Sequence, residues 1–144
     1  MEAGEGKVSA TIRESGQMLA RMNPLLGREE FVFCATNDGA LIERAQASAL
    51  GWLREDEGAS MILERGVAEA LGFAIDLPMR RIVLTVNSAL DGVGLTAAVS
   101  AALSADAIPC NMVAAYCHDH VFVPSDMADR ALKILEALQA ANGF

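Results

Sequence analysis

The chain has 144 residues, 53% of them hydrophobic and only 5% aromatic, so aliphatic side chains must fill its core, and its formal net charge is −8. That charge argues against nucleic acid or an anionic membrane as partner, because phosphates are met by clustered Lys and Arg, and the sequence holds no such cluster. Met1-Glu2-Ala3-Gly4-Glu5 has no basic region ahead of an apolar stretch, so no secretory leader is expected. The most apolar window, Leu95 to Ala105, is far shorter than the roughly 20 residues that span a bilayer. Cys34, Cys110 and Cys117 form no CxxC pair, and scattered thiols in odd number suit a reducing compartment. The expectation is a cytoplasmic protein without a cofactor.

Met1 to about Val8 reads as a frayed end. Thr11 to Met22 then sets Ile12, Met18, Leu19 and Met22 among charges as a helix that Asn23-Pro24 ends. Glu30 to Thr36 is the first strand and Asn37-Asp38-Gly39 the first turn. Ala40 to Leu53 reads as a helix or irregular segment followed by a short strand, with Trp52 expected in the core or at a subunit interface and Glu55-Asp56-Glu57 as solvated charge. Ser60 to Leu63 is the second strand, Glu64 to Leu71 a short helix closed by Gly72, and Phe73 to Met79 a linker.

From Arg80 to Leu138 the pattern sharpens. Arg81 to Asn87 is strand-like, and Asn87-Ser88 with Asp91-Gly92 breaks it. Leu95, Val99, Ala102 and Leu103 recur at helical spacing until Asp106 and Pro109 stop them. Cys110 to Tyr116 and His120 to Val123 read as a hairpin reversing at Cys117-His118-Asp119. Ser125 is the expected N-cap of a last helix whose apolar face is Ala128, Ala131, Leu132, Leu135 and Leu138, with Asn142-Gly143 ending it. Strand, helix, strand, strand, helix is most of a split βαβ unit.

Three groups of residues could carry chemistry. In Asn87-Ser88-Ala89-Leu90-Asp91-Gly92-Val93-Gly94-Leu95, glycines let a ligand approach the backbone, the helix N-terminus favours a carboxylate, and Asp91 can meet an ammonium. The bland alternative is that Ser88-x-x-Asp91 is a capping box. Cys117-His118-Asp119-His120 contains metal-ligating types, but the spacing lacks further ligands; a turn in which Asp119 bonds backbone groups is preferred, and no metal is expected. Cys117 beside His118 does not supply the geometry of a nucleophile and its base, and no phosphate loop or nucleophile elbow occurs, so no catalytic residues are assigned.

The stretch resembles an ACT domain, a small ferredoxin-like regulatory module, and more narrowly the stand-alone bacterial proteins with two ACT-like halves that are related to the cytosolic arginine sensors. Leu84 to Ser88, Val93 to Val99, Asn111 to Tyr116 and His118 to Pro124 carry the likeness densely; Phe31 to Cys34 and Glu57 to Leu63 carry it weakly. Val93 stands where many ACT domains have proline, and the chain stops at Phe144 with no room for the fourth strand. A donor in the N-terminal half is therefore expected. The resemblance implies an α+β fold of two ferredoxin-like halves with antiparallel sheets and helices on one face: 1–29 as an arm and helix, 30–76 as a degenerate ACT-like half, and 80–141 as the C-terminal ACT domain.

It also implies a sensor that binds a small molecule, an amino acid, without catalysis. Gly94 and Leu95 would offer N–H groups, Asp91 would hold the amino group, and Asn111, Met112, Val113 and Ala114 would form the wall, with Asn87, Ser88, Gly92 and Val93 completing the site. An open sheet has edges to cover, so a homodimer is expected. The competing class is a structural or protein-interaction module with a vestigial pocket, which a turn serving only to cap the helix would favour.

Overall fold

Two sets of apolar side chains form two separate cores. In the computed structural model, which describes residues 14–143, the elements run α1 (Ser15–Ala20), β1 (Pro24–Thr36), α2 (Gly39–Gln46), β2 (Gly51–Glu55), β3 (Gly58–Glu64), α3 (Arg65–Ala70), β4 (Met79–Leu84), α4 (Leu95–Ala105), β5 (Asn111–Ala114), β6 (Asp119–Pro124) and α5 (Ala128–Asn142). The expected frayed end and the first residues of the expected first helix lie outside the described residues. The chain divides into a unit of Arg28–Arg81 and a unit of Met1–Gly27 with Ile82–Phe144.

In the Arg28–Arg81 unit, period-two alternation sends Val32 and Cys34 of β1 to the helix-covered face together with Met61 and Leu63 of β3. β1 and β3 are antiparallel, with Val32 opposite Leu63 and Cys34 opposite Met61, and the β2–β3 hairpin pairs Gly51 with Ile62 and Glu55 with Gly58. Ala45 and Ala68, from α2 and α3, complete this core. Asp38 caps α2 by accepting from the N–H groups of Ala40 (3.0 Å) and Leu41 (3.3 Å). Gly58 is required at the hairpin turn, because its φ is +140° and a β-carbon there would stand 2.3 Å from the Thr36 carbonyl oxygen. The Arg81 guanidinium lies 5.4 Å from the centre of the Phe31 ring, a cation–π stack, and Arg65 pairs with Glu30 at 3.2 Å. Trp52 is 49% exposed, so it is not a core residue. On β2 it sits opposite Met61 at the outer strand, where too few neighbours cover so large a ring.

In the other unit the strand order is β1-β4-β6-β5, and residues 24–27 of β1 belong to this unit. Counting β4, β5 and β6 as the first three strands of the C-terminal half, β1 occupies the place of the fourth. The Arg28–Arg81 unit has the same neighbour pattern, β2-β3-β1-β4, with β4 in fourth position. Each half is therefore ferredoxin-like. α1, α4 and α5 pack on one another as a helix layer over this sheet. Its core holds Leu95, Val99 and Leu103 of α4, Ala128, Ala131 and Leu135 of α5, Met18 and Leu19 of α1, and Ile82, Leu84, Val121 and Val123 of the strands.

Two local expectations change. β1 begins at Pro24, six residues before Glu30, because proline is tolerated as the first residue of a strand. As expected, Ala40 to Leu53 holds a helix, nearly all of α2, followed by the start of the short strand β2. Ser125 is not the N-cap of α5: Met127 takes that position, and Ser125–Met127 form a 3₁₀ turn, preceded by Pro124 with φ −51°, that leads into the helix. Proline's preset φ lets β6 pass directly into the turn.

Candidate functional site

β4 hands over to α4 through a turn that is fixed at both ends. The Thr85 N–H donates to the Met22 carbonyl at 2.7 Å and the Thr85 hydroxyl to the Asn23 carbonyl at 3.0 Å. The turn then tightens at Gly92, whose N–H donates to the Ala89 carbonyl at 3.0 Å. α4 begins at Leu95 with Gly94 as N-cap in the left-handed region, φ +108°, and no side chain caps it. The Ser88-x-x-Asp91 box is thus not formed, because the Ala89–Gly92 turn separates both residues from the first helical N–H groups. Those groups stay available to a ligand.

Ser88 instead donates its hydroxyl to Asp119 Oδ2 at 2.9 Å. Asp119 opens β6 and is 6% exposed. Together these elements enclose a cavity of about 120 Å³. Of the residues named from the sequence, Ser88, Gly92, Gly94, Leu95 and Ala114 line it. The others do not. Asn87 is buried beside the turn, Asp91 is exposed, and Val93 is 79% exposed. Asn111 and Val113 are exposed on the outer strand β5, and Met112 packs against the core.

Met18, Ala89, Leu90, Thr96, Ala115 and Asp119 also line the cavity and were not singled out from the sequence. Met18 arrives from α1, and no local pattern links it to a turn 70 residues on. Asp119 had a readable signal. Asp119, Val121 and Val123 alternate along β6 and all three are buried, so period-two counting begun one residue earlier places the acid on the inner face. Its partner is a side chain, where backbone groups were expected.

A second hollow of about 500 Å³ lies in the Arg28–Arg81 unit, lined by Asn37, Ile42, Gln46, Trp52 and Arg54 with Glu55 to Ala59 of the hairpin. Glu55, Asp56 and Glu57 are all exposed there, so water already solvates their charge. Among the described residues no group of three or more His, Cys, Asp or Glu is placed to hold a metal ion. Burial raises the thiol pKa of Cys34 and of Cys110, and all three cysteines are free.

ACT-domain sequence models match residues 11–80 and 77–137. The chain belongs to the ACT-domain family. The two matches meet at the segment that opens β4, so ACT domains account for nearly all of the described chain. A crystal structure of a Vibrio cholerae protein of unknown function, described as a possible transport protein, is 37% identical over 84% of this chain and 93% of its own, with a TM-score of 0.74. The ligand-free regulatory subunit of aspartate kinase from Thermus thermophilus is 7% identical, covers 80% of this chain and 95% of its own, and superimposes with a TM-score of 0.60. Clostridium acetobutylicum aspartate kinase, an allosteric enzyme, is 10% identical over 82% of this chain and 34% of its own, with a TM-score of 0.62. The aspartate kinases share the ACT fold. None of the curated proteins matches the chain. No helix among the described residues is long and apolar enough to cross a membrane.

Proposed function

We propose that this ACT-domain protein is a cytoplasmic regulatory sensor that binds an amino acid and does not transform it. The observation that carries the reading is the cavity at the uncapped N-terminus of α4, where Gly92, Gly94 and Leu95 bring backbone to the wall. Free N–H groups at the positive end of a helix suit a carboxylate, and glycine lets it come close. The aspartate kinase regulatory domains that share the fold support a regulatory role.

The site belongs to the C-terminal ACT domain, 80–141. A ligand there would touch the β4–α4 turn, α1 through Met18, and the β5–β6 hairpin through Ala114. Differential binding to two arrangements of those elements is all that regulation requires. The protein is taken to act as a homodimer, since β2 and β5 end their strand orders and leave backbone groups for a second copy to pair with.

A thermal-shift screen against the common amino acids tests the reading. A ligand bound only by the folded state adds roughly 2.7 kcal/mol at a hundredfold excess over Kd, which is several degrees for a chain of this size. A screen that stays flat at millimolar concentrations of every amino acid rejects the proposal in favour of a protein-interaction module.

A further inference from the structure

We infer that Asp119, and not Asp91, receives the ligand's ammonium group, and that the cavity selects amino acids with short side chains. The inference rests on the sensor reading above and names the ligand class of the same site. Asp119 is more than nine-tenths buried and lines the cavity. Its Oδ2 accepts from Ser88, while Oδ1 has no hydrogen bond among the described residues. A carboxylate taken out of water is costly unless its oxygens are matched, and one donated hydroxyl leaves it half matched. An ammonium brings three donors and the opposite charge to the open oxygen. Asp91, exposed to solvent and outside the cavity lining, gains far less from the same partner.

With the carboxylate on the N–H groups of α4 and the ammonium on Asp119 of β6, the two poles of a zwitterion are met by two different elements of the lining. The remaining space is small. A cavity of about 120 Å³ is well below the roughly 300–1,000 Å³ of pockets for drug-sized ligands. Its other walls come from Met18, Leu90, Leu95 and alanines, with Thr96 adding a neutral hydroxyl, and none of them carries a charge to match a second one on the ligand. Glycine, alanine and serine fit these limits, whereas leucine and arginine do not.

Isothermal titration of the full chain with glycine, alanine, serine, leucine and arginine, and with lactate as the counterpart of alanine that lacks the amine, tests this. Alanine-class ligands are expected to bind at least tenfold more tightly than leucine, arginine or lactate. Asp119→Asn keeps the shape and an oxygen for Ser88, so its ligand-free melting temperature should stay near wild type while alanine affinity falls at least tenfold. Undiminished alanine binding by D119N overturns the assignment of Asp119. Equal affinity of the wild-type protein for alanine and lactate overturns it as well, and needs no variant to fold. Tighter binding of leucine or arginine overturns the size limit while leaving the sensor reading intact. Binding of none of these five overturns both the Asp119 assignment and the size limit, while the sensor reading itself is decided by the thermal-shift screen of all the amino acids.

Discussion

Ser15, the first residue of α1, occupies the space that a side chain on Gly94 would need. A β-carbon at Gly94 would stand 2.7 Å from the Ser15 hydroxyl oxygen and 3.1 Å from its β-carbon, on a backbone already at φ +108°. Gly94→Ala therefore combines a clash with a left-handed non-glycine residue, the latter worth about 1–3 kcal/mol by itself. The expected result is a melting temperature several degrees lower. Ser15→Gly in the same chain should restore only part of the loss, because it removes the clash and leaves the backbone strain. Full recovery in the double variant would show that the φ angle costs nothing.

Gln139 of α5 acts as a clamp on the end of α1. Its Nε2 donates to the Ala20 carbonyl at 3.0 Å and to Asn23 Oδ1 at 2.9 Å, and its Oε1 accepts from the Asn23 N–H at 3.0 Å. Asn23 needs the support, since its φ is +41° without being glycine. Gln139→Ala should lower stability by about 1–3 kcal/mol in urea unfolding. Because Met18 on α1 is a wall of the cavity, hydrogen exchange at Met18 and Leu19 should quicken and ligand affinity should fall with it. Unchanged exchange in α1 would mean that packing alone holds it.

The C-terminal half was legible because its signals are local. Leu95, Val99 and Leu103 lie at helical spacing and all three are buried, as are Ala128, Ala131 and Leu135. Gly92 and Gly94 marked the turn, and both line the cavity. What the sequence concealed depends on partners far along the chain. Residues 24–29 read as an arm until β4 is seen beside β1, and Ser88 reads as a cap until Asp119 is seen to take its hydroxyl. Asp91 was the natural acid to choose because it adjoins the glycines. Proximity along a turn says little about burial, and the buried acid comes from the next hairpin.

Leu103 and Ser104 are neighbours on α4 with opposite surroundings, the first fully buried and the second exposed. Leu103→Ala removes methyl groups from the core shared by α4 and α5 and should cost about 2–5 kcal/mol. Ser104→Ala should stay within about 0.5 kcal/mol of wild type. Urea midpoints of the two variants measure the contrast, and similar midpoints would place the core of this unit elsewhere.

The three thiols should separate in reactivity. Cys117 is exposed, whereas Cys34 and Cys110 are half-buried and burial raises the pKa of each. Iodoacetamide at mildly alkaline pH is expected to alkylate Cys117 first, and peptide mapping should find Cys34 and Cys110 modified only slowly until the chain is unfolded. The same raised values have a thermodynamic consequence. In the unfolded chain these thiols ionise at their ordinary pKa, while in the folded chain they hold their protons to higher pH, so above the ordinary value the native state binds more protons than the unfolded state. Stability is then fully retained below the ordinary thiol range and declines as pH rises through it towards the raised folded values. A Cys34→Ala, Cys110→Ala double variant should show a shallower alkaline decline in urea midpoint than the wild-type protein, and an identical slope would assign the decline to other groups.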